Sequence, residues 1–125
     1  MTKIVDTIKD FGSSIILISE SPWTPDVYDS NLLRHFTVNL SKGFQRSQAE
    51  KGRKTLIRFY QSFATDAQVR IYDPYLVLCP NTMCKYFSSG HRLYWNHDHI
   101  DVFASKMLAS GLKSVISNLQ SDALK

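Results

Sequence analysis

Ser14-Ile15-Ile16-Leu17-Ile18-Ser19 is the stretch on which the fold turns. A short continuous apolar run, placed after a helical pattern and before Pro22, predicts a buried strand of the parallel type. Upstream, Ile4, Val5 and Ile8 share one helical stripe within residues 2–10, and Phe11-Gly12 predicts the helix stop. Downstream, Glu20-Ser21-Pro22-Trp23-Thr24-Pro25-Asp26 predicts a loop at the strand's carboxyl end, the edge where α/β sheets bind ligands. Ser19, Glu20, Ser21 and Trp23 are candidates there, set against an ordinary Pro-stiffened loop.

Further out, Asp29 or Ser30 is expected to cap a helix beginning Asn31-Leu32-Leu33-Arg34-His35-Phe36. A longer helix is expected from Lys42 or Ser47 to Phe63, with Leu56, Phe59, Tyr60 and Phe63 toward a core. Its basic side chains, Lys42, Arg46, Lys51, Arg53, Lys54 and Arg58, lack interleaved exposed aromatics, which favours a solvated face over a phosphate-binding stripe. Gln68 to Tyr72 alternates and predicts a second strand. Asp73-Pro74 interrupts it, and Tyr75-Leu76-Val77-Leu78 continues as an apolar segment of open geometry. Residues 85–95 look irregular, with a turn at Ser88-Ser89-Gly90 and an extended piece at Leu93-Tyr94. From Asp101 onward Val102, Phe103, Met107, Leu108, Leu112, Val115, Ile116 and Leu119 predict a closing amphipathic helix. The order α-β-α-β-α, with long connections between strands, predicts an α/β layered domain with parallel strands.

The totals agree with one domain or part of one: 125 residues, 43% of them hydrophobic. A net charge of +4 is too mild to imply nucleic acid as a partner. No stretch approaches the apolar length of a membrane span. Lys3, Asp6, Lys9 and Asp10 interrupt any signal-like run, so work outside the cytoplasm would require something upstream to deliver the chain.

The chemistry concentrates in residues 91–104, His-Arg-Leu-Tyr-Trp-Asn-His-Asp-His-Ile-Asp-Val-Phe-Ala, which hold three of the four histidines. Imidazoles and carboxylates at a helix mouth fit acid/base work or metal binding. Asn96 with His99, and Asp98 with Asp101, are three apart and would share a face on a helical turn. The plainer alternative is a solvated helix start capped by Asn96 or Asp98.

Cys79 and Cys84 enclose Pro80-Asn81-Thr82-Met83. A disulfide there needs a tight turn, for which Pro-Asn is suitable chemistry. Zinc is the competing use, because Cys79-x4-Cys84-x12-His97 mimics a zinc finger, with His91 as another ligand. The finger's histidine spacing fails, since His97 and His99 are only two apart.

Taken together, Asp73-Pro74, Leu78-Cys79-x4-Cys84, Gly90, Leu93-Tyr94-x-Asn96-x-x-His99-Ile100 and Ala104 before a closing helix resemble a known family. They are similar to the C-terminal half of the SGNH domains of bacterial membrane O-acyltransferases, which modify surface polysaccharides such as O-antigen. The resemblance implies an α/β, three-layer fold with a parallel sheet flanked by helices, a disulfide between Cys79 and Cys84, and no cofactor. It implies His99 as the triad base, with Asn96 in the place of the triad aspartate; Asp98, adjacent in sequence, is a substitute partner if the loop bends. It also implies a polysaccharide acceptor, an attached membrane acyltransferase domain, and a place on the extracytoplasmic face of the bacterial inner membrane. The family's Gly-Asp-Ser nucleophile block, oxyanion glycine and Gly-x-Asn-Asp block have no counterpart in residues 1–125. Gly12-Ser13-Ser14 precedes its strand instead of following one. The expectation is therefore a single partial domain over residues 1–125, inactive alone; the alternative is a basic, zinc-supported nucleic-acid-binding module using Cys79, Cys84 and His91 or His97.

Overall fold

The computed structural model describes residues 2–25 and 43–123. Helix α1 (Thr2–Asp10) and strand β1 (Ile15–Ile18) lie where the apolar patterning puts them. Strand β1 pairs in parallel with the second predicted strand, Val69–Tyr72, in register from Ile15↔Val69 to Ile18↔Tyr72. Side chains alternate across a strand. Ile15, Leu17 and Val69 thus share a face, and they pack with Val5, Phe59 and Phe63. Tyr72 has the opposite parity, and its hydroxyl donates to the Leu108 carbonyl of the closing helix at 2.6 Å. Helical segments cover both faces of the parallel pair, which is the α/β layering expected. The pair is narrower than a fully buried strand implies, because Ile18 is 54% exposed.

Between these strands the structure departs from the sequence reading. The helix expected to run to Phe63 is two pieces after a two-residue strand β2 (Phe44–Gln45): α2 (Arg46–Ala49) and α3 (Lys54–Gln61). Gly52, at φ 100°, takes the chain out of helical geometry, a conformation that costs glycine little. The expected cap at Asp29 or Ser30, the helix from Asn31 and the start at Lys42 lie outside the described residues.

After the second parallel strand, β3 (Val69–Tyr72), the open segment is a one-turn helix, α4 (Tyr75–Leu78). Pro74 precedes it at φ −53°, and the Asp73 side chain accepts the Tyr75 N–H at 3.1 Å. Two short antiparallel pairings follow. Strand β4 (Met83–Cys84) runs antiparallel to β2, and β5 (Phe87–Ser88) to β6 (His91–Arg92) around the predicted Ser89-Gly90 turn. The closing helix α5 (Val102–Ala123) lies over the main core of Tyr75, Leu78, Cys79, Cys84, Leu93, Tyr94 and Ala104. Among the described residues no helix is long and apolar enough to cross a membrane.

Candidate active site

His99 sits in a loop, not on the helical turn that its spacing from Asn96 implied. A bridge between Tyr94 and Ile100 closes the loop, and the Trp95 N–H donates to the His99 carbonyl at 2.8 Å. Helix α5 starts later and is capped by Asp101, so Asn96 and Asp98 are not its caps. The Asp101 carbonyl accepts from the Ser105 N–H at 2.9 Å, and its carboxylate from the Phe103 N–H at 3.4 Å. The Asp101 carboxylate also receives Arg92 Nε at 2.6 Å. That hydrogen bond holds the Asp101 carboxyl below the usual carboxylate range.

Asn96 Oδ1 organises the loop. It accepts from the Asp98 N–H at 3.2 Å, the His99 N–H at 2.9 Å and His99 Nδ1 at 2.8 Å. Three donors converging on one atom identify that atom as the amide oxygen. Asp98 Oδ1 lies 2.7 Å from the same Nδ1. The two partners that the sequence offered as alternatives therefore meet at one ring nitrogen. With two acceptors at Nδ1, the neutral imidazole carries its hydrogen there and leaves Nε2 as the bare lone pair. Nε2 makes no hydrogen bond among the described residues, and the side chain is 69% exposed.

The loop after β1 supports this turn from beneath. The Thr24 N–H donates to the His97 carbonyl at 2.8 Å, and His97 Nδ1 lies 3.2 Å from the Thr24 carbonyl. Trp23 stacks on the His97 ring at 6.0 Å, and Ser21 Oγ donates to the Asp98 carbonyl at 3.3 Å. The carboxyl edge of the parallel pair is thus where the histidine turn is held, in keeping with the rule that such edges carry sites.

At the root of that edge is a group that the sequence reading placed in solvent. Arg53 is only 6% exposed. Its Nε bonds Glu20 at 2.6 Å, and its Nη2 bonds Asp73 at 3.1 Å and Ser19 Oγ at 2.9 Å. Its guanidinium lies 3.7 Å above the Tyr75 ring centroid. Burial works against the Arg53 charge, but Asp73 and Glu20 outweigh it and hold the group protonated beyond its usual range. Tyr75, whose hydroxyl donates to the Ala49 carbonyl at 2.8 Å, is pushed up to about 12 mainly by burial. The only sequence signal for this inward turn was Gly52 just before Arg53.

Cys79 and Cys84 form a disulfide, with Cα atoms 4.2 Å apart. This overturns the zinc-supported alternative, because a zinc ligand is a thiolate and both sulfurs are bonded to each other. The other proposed ligands are engaged elsewhere: His91 stacks on Phe103 at 4.3 Å, and His97 on Trp23. Among the described residues no group of three or more His, Cys, Asp or Glu side chains is placed to hold a metal ion.

A family model described as SGNH domain (fused to AT3 domains) matches residues 1–114. No curated protein and no solved structure matches the chain.

Proposed function

The chain belongs to the family of SGNH domains fused to AT3 domains, and from that premise we propose that it is the histidine-bearing part of a domain that transfers or hydrolyses O-acyl groups on a cell-surface polysaccharide. In this reading residues 1–125 form one partial domain. The nucleophilic serine and the oxyanion donors come from a Gly-Asp-Ser-bearing segment outside these residues, and the AT3 acyltransferase domain delivers the acyl group at the extracytoplasmic face of the membrane.

His99 is the general base. Its Nε2 takes the serine proton as the serine oxygen bonds to the acyl carbon, then returns that proton to the departing alcohol oxygen. Asp98 and Asn96 hold the ring through Nδ1, and the Asp98 carboxylate stabilises the imidazolium that forms. Cys79–Cys84 suits an oxidising compartment. The observation that carries the proposal is the His99 ring fixed at Nδ1 by two acceptors, with Nε2 making no hydrogen bond among the described residues. The test joins this chain to a Gly-Asp-Ser-bearing family segment and measures acetyl transfer to an O-antigen oligosaccharide. Transfer that His99→Ala abolishes supports the assignment; a His99→Ala protein as active as its parent overturns it.

A further inference from the structure

A cavity of about 370 Å³ opens beside the root of the histidine turn, with Glu20, Trp23, Lys51, Gly52, Arg53 and Tyr75 in its wall. That volume lies near the lower end of the roughly 300–1,000 Å³ of small-molecule sites, room for one ring and not for a long chain. Trp23 is 43% exposed and is backed by His97. An indole presents a broad apolar face with negative charge at its centre, which suits the weakly positive C–H face of a sugar.

The polar groups complete the pattern. One oxygen of Glu20 is taken by Arg53, while the other makes no hydrogen bond among the described residues and is open to a hydroxyl donor. The Lys51 ammonium has no partner among the described residues and offers three donors. A wholly apolar ligand would leave Glu20 and Lys51 unanswered, and a phosphate would face the Glu20 carboxylate. A hydroxyl-bearing ring with one apolar face satisfies all three side chains.

We propose that this cavity is a subsite for one pyranose ring of the acceptor, stacked on Trp23 with its hydroxyls at Glu20 and Lys51. The assignment rests on the acceptor reading given above. Trp23 touches His97, two residues before His99, so a ring seated here lies beside the turn that carries the base.

The test is an NMR titration of the intact, oxidised chain with methyl glycopyranosides of the gluco, galacto, manno and rhamno series. The Trp23 indole N–H and the Lys51 and Gly52 amides report the cavity; the Trp95 indole reports the other side of the turn. At least one glycoside is expected to shift the cavity signals saturably. Trp23→Ala should weaken binding about tenfold, the scale of one lost aromatic face, and Trp23→Phe should restore most of it. Lys51→Ala, which removes no hydrogen bond or ion pair found among the described residues, should weaken binding about threefold; it decides the matter if Trp23→Ala does not fold. Absence of any shift, shifts confined to Trp95, or unchanged affinity in Lys51→Ala and Trp23→Ala would each overturn the subsite. Shifts confined to Trp95 overturn the subsite while leaving a sugar acceptor in place. Conversely, saturable binding at Trp23 by a domain that transfers no acyl group upholds the subsite and sinks the catalytic reading instead.

Discussion

A guanidinium at 6% exposure must have its charge answered, and Arg53 is answered by Glu20 and Asp73 together. Removing it leaves two carboxylates facing each other at the ends of both parallel strands. Arg53→Met is expected to cost about 2–3 kcal/mol in urea unfolding, less than the ~3–5 kcal/mol of a fully buried pair because Glu20 stays partly wet. The sequence could not disclose this residue: in a basic run, helical spacing assigns a face, and only the break at Gly52 redirects one side chain. His99 was legible for the opposite reason, because imidazole, amide and carboxylate stood within four residues of one another. Their meeting did not need the predicted helix; an amide accepting two backbone N–H groups made a turn instead. That geometry ranks the two partners. In a serine protease, Asp→Asn beside the histidine costs ~10⁴ in kcat. Here Asp98 already puts a carboxylate at 2.7 Å. In the fusion to a Gly-Asp-Ser-bearing segment, Asn96→Asp should therefore raise kcat by less than about tenfold, whereas Asp98→Asn should lower it by more than that. An Asp98→Asn enzyme with undiminished kcat would assign the imidazolium to another partner.

Among the elements, the β2–β4 pair and the disulfide form one clamp, since Cys84 lies in β4 opposite Phe44. Neither two-residue strand could be read from sequence, because period-2 alternation needs more residues than that to show. The clamp depends on Gly43: a Cβ there would lie 2.0 Å from the Cys84 carbonyl oxygen, which is backbone and cannot swing aside. Gly43→Ala should cost about 2–3 kcal/mol and expose the Cys84 amide to hydrogen exchange. Replacing both cysteines by serine should cost about 2 kcal/mol, the entropy of so short a loop, read from the urea midpoint. The entrance to α5 carries a pH dependence of definite sign. The Asp101 carboxyl is held below its ordinary value of 3.8 by Arg92, so the unfolded chain takes its proton first as pH falls. This contribution is complete above the unfolded value and is lost as pH drops through the folded one. Arg92→Leu should flatten that acid limb. At the alkaline end, Tyr75 ionises near 10.0 when unfolded but at about 12 when folded. Stability should thus fall between those values, and a Tyr75→Phe protein should lack that part of the slope.

At the scale of the whole molecule, two strands sufficed to reveal the α/β class, because an unbroken apolar run and long connections both demand helical cover. The same scale decides what the chain can do alone. Acyl transfer needs an activated hydroxyl, a base within hydrogen-bond reach of it, and donors aimed at the oxyanion. Among the described residues only the proposed base, His99, answers to any of these parts. Along this edge Thr24 Oγ1 is buried without a hydrogen-bond partner among the described residues, whereas Ser21 Oγ donates to the Asp98 carbonyl and Ser19 Oγ is bound between Asp73 and Arg53. None of them hydrogen-bonds to His99. An exposed imidazole hydrolyses an activated ester slowly by itself, but without the roughly 7–11 kcal/mol that positioning supplies. The purified chain is therefore expected to cleave p-nitrophenyl acetate no faster than an equal concentration of imidazole, without saturation, and His99→Ala should remove only its share of that background. Saturable turnover well above imidazole, lost in His99→Ala, would mean that a hydroxyl of this chain reaches Nε2, and residues 1–125 would then be an esterase in their own right.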